Sequence, residues 1–533
     1  MIDDWDDGNG SMRVNEASAQ RVATSRVLAS LGMRVWLWPL GVAALMLGSI
    51  LLWLPSLSLP LDIDAACYAI AAHWWAQGDT LYRNFTITRP QGIFVVYRII
   101  QAIGFDSVAG IRFAGAIYCA FCVLALLLVV RRVWGEAIGF GAAGLFALIM
   151  ALPSLEGPAT NAELYMLLPL LVSLFLLLLA DEAPLGSRRN LLLLASCGFC
   201  GAVALLLKPS GGAALALAVP WLLRRQYYER TAWSAWFRAE CTLGAGFLLG
   251  LLPALAHGLL TAPDIYLYAV LLYRLETASA VSRPLTAQFG RFVFVTGQVL
   301  VRLPILLVAV SGWLAVRRAG DSRGRDLLYL WTLVSLGGAW LGGNWWIHYY
   351  QQLVPPLAVA IVIGLRYLFN EAKTGHSIVV QRSIAALSIG ALAVTLILGL
   401  TVRRDSGDVL SNYTPTPRPF ENVAAYLRQH THPNDTLYVA YDQAQIYYLS
   451  SLRPVGRWPD TPDMRYVSGA FAEQVALLDN PDTAPTYIVG AQPFDVLGLD
   501  PEGALRAIVA RDYALEATVE GMPIFRRVER AAR

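Results

Sequence analysis

The run VWLWPLGVAALMLGSILLWLPSL, residues 35–57, decides the fold. It carries no charged side chain and is long enough to cross a hydrocarbon layer of about 30 Å as a helix. Residues 1–33 before it are polar, with Asp3, Asp4, Asp6 and Asp7 at the start and Arg13, Arg21 and Arg26 further on, and Arg34 adjoins the run. The run is longer than the apolar stretch of a cleavable leader, and no small-residue cleavage site follows it. It therefore reads as a retained first membrane helix.

Working outward, similar runs recur at about 109–130, 137–155, 163–180, 191–207, 211–223, 241–260, 291–316, 327–342, 351–369 and 384–402. With the first they make about eleven expected spans. The composition agrees: 56% of the 533 residues are hydrophobic and 15% charged, too apolar for a soluble protein of this size. A net charge of +3 gives no reason to expect a nucleic-acid partner. The 41 basic residues matter for where they fall. With the N-terminus cytoplasmic, that side receives Arg131/Arg132, Arg188/Arg189, Arg224/Arg225/Arg230, Arg317/Arg318/Arg323/Arg325, and Lys373 with Arg382. The positive-inside rule is then met at every connection.

The remaining connections, 58–108, 156–162, 208–210, 261–290, 343–350 and everything after 402, face outward in this threading. Segments 65–77 and 93–104 are apolar but too short to span, so they read as helices lying along the outer surface. From 411 onward, turn-rich pieces alternate with short helical and strand-like runs such as DTLYVA and TYIVG. The expected architecture is mainly α: a polytopic transmembrane bundle (34–402) after a cytoplasmic tail (1–33), then a small extracytoplasmic α/β domain (403–533). The pairs Cys119/Cys122 and Cys197/Cys200 lie inside uncharged helical runs and read as small packing groups, since no His or further Cys nearby completes a metal site.

In this threading the candidate polar residues converge on one face. The first outer loop carries Asp62, Asp64, Arg83 and Arg89, the second Asn161 and Glu163, and the third Lys208. The fourth carries Arg274, Glu276 and Arg283, and the fifth Asn344, His348 and Tyr349. Each has a plain structural reading as well. Asp62 or Asp64 could cap the helix that begins at Ala65; Arg89 could be an interfacial snorkeler; Glu163 could be a first-turn acid; His348 could be an interfacial histidine. Lys208 is the least easily explained in this way, because the chain has only one other lysine, Lys373.

The segment DAACYAIAAHWWAQGDTLYRNFTITRPQG, 64–92, resembles the first extracytoplasmic loop of polytopic GT-C glycosyltransferases, notably the protein mannosyltransferase and aminoarabinose transferase superfamily (family 39-like). Asp64, Gly78, Tyr82, Arg83, Arg89, Pro90 and Gly92 fall at matching spacings. NAELYMLLP (161–169), KPSGG (208–212), HYYQQLVPP (348–356) and DTLYVAYDQAQIYYLSSLRP (435–454) also match, so the resemblance covers most of the chain. It implies an inverting transfer of a sugar from a polyprenyl-phosphate donor to a hydroxyl on a glycan, lipid or protein outside a bacterial-type plasma membrane. Asp64 would be the base, Glu163 a supporting acid, and Arg89 and Lys208 contacts to the lipid phosphate. Arg83, Arg283, His348 and Tyr349 complete the expected donor set.

The chemistry suits those residue types: a carboxylate takes the proton of a weak hydroxyl nucleophile, and cations hold the charge gathering on the leaving phosphate. Two departures stand out. Ala65 follows Asp64 where the family often has an acid, and Gln91 replaces a second proline, so Asp62 is kept as the other carboxylate. No cofactor or metal is expected, although some relatives bind a divalent ion near this acid. Two rivals remain: a transporter or lipid flippase, to which Arg302 inside the eighth span would belong, and a catalytically silent relative that binds a polyprenyl lipid.

Overall fold

The computed structural model describes residues 37–273, 275–276, 284–341, 345–375, 378–400, 418–441, 443–459, 464 and 467–528. The tail 1–33, Arg274, Arg283 and Asn344 lie outside the described residues. The membrane part begins with α1 (Leu37–Ser58), followed by two short helices, α2 (Ile63–Ala76) and α3 (Gly92–Ala102). Then come α4 (Val108–Trp134), α5 (Glu136–Met150), α6 (Ala162–Asp181), α7 (Arg188–Leu207), α8 (Ala213–Glu229) and α9 (Trp233–Thr261). The last group is α10 (Leu285–Arg302), α11 (Pro304–Arg318), α12 (Ser322–Trp340), α13 (Val354–Gly375) and α14 (Ile378–Leu400).

Helix ends follow local chemistry. Ser107 and Ser187 accept from backbone N–H groups to cap α4 and α7. Gly135, at φ +89°, turns the chain between α4 and α5 in a conformation that costs glycine little.

Helices occur at all eleven expected places, and the chain is an integral membrane protein of mainly helical build. By length and apolarity, however, six described helices qualify as crossings, or seven if one bent pair counts as a span. That pair falls on the expected span at 291–316, which is not one straight helix: α10 and α11 meet at 102°. Pro304 supplies no N–H and disfavours helical backbone at Leu303, which sits at φ −125°, ψ 64°.

Polar groups are sorted to the two ends of the bundle. At one end Arg132 pairs with Glu182, Asp181 with Arg225 (3.6 Å) and Arg323 (3.2 Å), and Arg224 with Asp326 (2.7 Å). At the other end of α6 stands Glu163, about 27 Å away at about 1.5 Å of rise per residue. That is close to the thickness of a hydrocarbon core.

Between these ends the helices approach closely through small residues. A Cβ on Gly198 of α7 would lie 2.0 Å from the Leu243 carbonyl oxygen, and one on Gly246 of α9 would lie 2.0 Å from that of Ala195. Cys197 is a buried packing group facing α6, its carbonyl accepting from the Ser173 hydroxyl at 3.0 Å.

The C-terminal unit is a five-stranded sheet in the order β2-β1-β3-β5-β4. Its strands are β1 (Thr436–Ala440), β2 (Arg453–Pro454), β3 (Tyr487–Gly490), β4 (Tyr513–Val519) and β5 (Met522–Arg527). β1 pairs in parallel with β2 and β3, and β5 runs antiparallel to β3 and β4. α15 (Pro419–His430) and α16 (Ala444–Ser450) cover one face, and α17 (Ala470–Asp479) and α18 (Ala504–Asp512) the other. The unit rests on α2. Ile70 enters its core, Arg453 lies 5.1 Å over the Trp74 ring and pairs with Asp79 at 2.6 Å, and Thr86 N–H donates to the Arg457 carbonyl at 2.7 Å.

Gly198→Leu is expected to destabilise the bundle by about 1–3 kcal/mol or more, because the helix pair has no room to relax. The check is the thermal unfolding midpoint in detergent, with Leu192→Ala, whose side chain is outward-facing on α7, as the control expected to stay near wild type.

Candidate functional site

α2 opens the site. Asp62 is its N-cap, and Oδ1 accepts from Asp64 N–H at 3.0 Å, so the capping reading of Asp62 is correct. Capping is not the whole of its role. Asp62 is buried, and burial first, then Asp64 and Glu156, pushes its carboxyl up to about 7, with His348 opposing. Asp64 lies in the first turn, one turn before the buried Tyr68. Arg89 donates to the Tyr68 hydroxyl, and both Asp64 and Arg89 act electrostatically on that ring. The first loop is folded back to allow this: Tyr82 takes φ +71° and donates to the Arg89 carbonyl at 2.7 Å. Gln91, in place of the second proline, donates to the Ala254 carbonyl at 2.7 Å and accepts from the Tyr266 hydroxyl at 3.1 Å.

The opposite wall comes from the loop between α5 and α6. Glu156 and Thr160 both hold left-handed backbone, φ +53° and +60°. Gln351 fixes this shape by donating its amide to the carbonyls of Leu155 and Glu156, each at 3.0 Å. Glu156 is buried, and its Oε2 lies 2.6 Å from Nδ1 of His348. The same ring places Nε2 3.5 Å from Oε1 of Glu163. Lys208 pairs with that Glu163 oxygen and holds Nζ 3.8 Å from the Tyr349 ring centre. Lys208 can reach because it ends α7 at a tight turn: a Cβ on Gly211 would strike the Ala204 backbone at 2.2 Å.

Arg112, fully buried at the start of α4, joins the two walls. Its guanidinium donates to the carbonyls of Leu59 (3.2 Å) and Pro60, just before Asp62, and to that of Pro158, between Glu156 and Glu163. Arg302, beside the α10–α11 break, acts electrostatically on Glu156.

Of the residues singled out in the sequence, Asp62, Asp64, Arg89, Glu163, Lys208, His348 and Tyr349 thus belong to one connected cluster at one end of the bundle. Arg83 does not join it. Arg83 pairs with Asp264 at 3.2 Å, both more than half exposed, because the first-loop turn points its side chain outward. Arg283 lies outside the described residues.

Glu156, Arg112 and Gln351 were missed from the sequence. Arg112 had a readable signal, since it is a basic residue at the outward end of a span, against the arginine bias. Glu156 had none beyond being an acid in a short loop. Among the described residues no group of three or more His, Cys, Asp or Glu is arranged to hold a metal ion.

No family model matches the chain, and no curated protein matches it in sequence. Its structure is similar to that of ArnT from Cupriavidus metallidurans bound to undecaprenyl phosphate, at TM-score 0.57 and 15% identity, over 92% of this chain and 98% of that one. The apo state of ArnT gives 0.56 and 17%, over 94% and 98%. The archaeal oligosaccharyltransferase AglB from Archaeoglobus fulgidus, in complex with an inhibitory peptide and a dolichol-phosphate, gives 0.55 and 14%, over 93% and 75%. At these identities the likeness establishes a shared fold and nothing finer.

Asp62 carries a pH signature. Its folded value, about 7, lies above the ordinary 3.8, so the folded chain keeps a proton that the unfolded chain releases between those values. The stability it contributes is full below pH 3.8 and lost as pH rises to about 7. Asp62→Asn keeps a capping oxygen without the charge. It is expected to match wild type in thermal stability below pH 3.8 and to exceed it increasingly up to about pH 7, as scanning calorimetry across that range would record.

Proposed function

We propose that the chain is an inverting glycosyltransferase that moves a sugar from a polyprenyl-phosphate donor to a hydroxyl of a glycan, lipid or protein at the outer face of the plasma membrane. The observation that supports this best is the cluster itself. Carboxylates and cations from the first loop, the α5–α6 loop, the end of α7 and the segment before α13 meet where the apolar bundle ends.

In this reaction Asp64 takes the proton of the acceptor hydroxyl while its oxygen attacks the anomeric carbon from the side opposite the phosphate. The bond from that carbon to the phosphate oxygen breaks, and its electron pair leaves on the phosphate. Lys208, Arg89 and His348 are placed to hold that charge, with Tyr349 backing Lys208. Glu163 keeps Lys208 in place until the phosphate arrives.

The carrier's tail needs an apolar path, and one turn beyond Glu163 lies a narrow crevice of about 30 Å³ lined largely by Leu167, Leu171, Leu174, Leu217 and Trp331, which has to widen to admit a chain. Isoprenoid units are branched hydrocarbon, and a mostly apolar lining of this kind suits them. Polyprenyl phosphates bound to ArnT and AglB, whose fold this chain shares, support the same donor class. The cytoplasmic N-terminus and the extracytoplasmic C-terminal unit follow from the arginine bias.

One observation favours a transporter instead: Arg302 stands at the break of a helix pair bent by 102°, and broken helices with ionisable residues line transport pathways. Solute counterflow in proteoliposomes without any glycan product would decide for that rival. Lipid binding with no turnover on any donor would mark a silent relative.

Asp64→Asn, assayed in membranes with labelled lipid-linked sugar, is expected to lower turnover about 100-fold or more, the range for losing a positioned general base. Turnover equal to wild type would remove Asp64 from the mechanism.

A further inference from the structure

Glu156 belongs to none of the motif pieces, yet the chain goes to some length to hold it. A non-glycine residue at φ +53° is strained, by an amount on the order of 1 kcal/mol. The strain is maintained by three donations from side chains remote in sequence: two from Gln351, to Leu155 and Glu156, and one from Arg112, to Pro158. What the strained loop delivers is one carboxylate, 3% exposed, 2.6 Å from Nδ1 of His348.

A carboxylate at that distance accepts the Nδ1 hydrogen, which fixes the rotation of the ring and the direction in which its second nitrogen points. Nε2 is thereby turned toward Glu163 Oε1, at 3.5 Å, and the neighbouring Lys208. The other groups around the ring are Asp62, which acts on it electrostatically, and Tyr349, whose ring centre lies 5.0 Å away. Neither supplies a hydrogen bond that would set the ring.

We propose that Glu156 is a positioning residue of the donor site: it holds His348 so that Nε2 faces the place beside Lys208 where the donor phosphate is read. The inference rests on the donor reading above and adds a residue to it. Glu156 acts only through the imidazole, so its contribution disappears once the imidazole is gone.

The test uses the purified full chain with undecaprenyl phosphate as the probe. Glu156→Ala and His348→Ala are each expected to weaken binding about tenfold. The double variant is expected to lose no more than either alone, where independent effects would multiply to about a hundredfold. Free imidazole should restore binding to His348→Ala, where Glu156 can still orient it, and should fail in the double variant. Glu156→Gln keeps the side-chain volume and an accepting oxygen, and should retain most of the affinity.

Multiplicative losses overturn the inference, as does equal imidazole rescue in both backgrounds or a loss in Glu156→Ala with none in His348→Ala. In those cases wild-type binding leaves the donor reading standing. A wild type that fails to bind undecaprenyl phosphate overturns the donor reading and this inference with it.

Discussion

A charged side chain cannot rest in hydrocarbon without heavy loss of solvation, and that constraint organises the molecule. α6 shows it most directly: Glu163 stands in its first turn, Asp181 ends it, and the residues between are mostly buried and apolar. Each acid is matched by cations brought from other helices, Lys208 at one end and Arg225 with Arg323 at the other. The packing between helices, including the close Gly198 and Gly246 contact, only has to align these two polar layers.

The layers serve different ends. At the Asp181 end the ion pairs link α6, α8 and α12 side by side and involve no strained backbone. At the Glu163 end Tyr82, Glu156, Thr160 and Trp345 take left-handed conformations, a fully buried arginine spans two loops, and one imidazole lies between two carboxylates. Buried ion pairs often fail to repay their desolvation, so this concentration is poorly explained as a source of stability. It suits the proposed function, in which fixed charges meet a ligand that carries charge of its own.

Much of this was legible in the sequence. Uncharged runs such as 35–57 marked the helices, and the arginine bias separated the two polar ends before any contact was known. The first-loop motif located Asp64 and Arg89 because its turns depend on local residues, Gly78 and Tyr82 among them. The bend at Leu303 was obscured because runs before and after Pro304 are equally apolar, and hydropathy has no direction. Arg83 was misplaced because a side chain's heading in a folded loop depends on distant partners such as Asp264. Glu156 was invisible for a related reason: its importance is created by Gln351 and His348, nearly two hundred positions away.

The break between α10 and α11 has a counterpart in α14. Thr395 of α14, fully buried, offers its hydroxyl to the Ile305 N–H at 3.3 Å, an amide that the interrupted helix leaves over. In lipid an orphaned amide has no water to turn to. A slide of α14 by a single residue, about 1.5 Å, would carry the hydroxyl away from it. A hydrogen bond tolerates an offset less readily than apolar packing does, so this hydroxyl works as a vernier mark for the register of α14 against the broken helix pair.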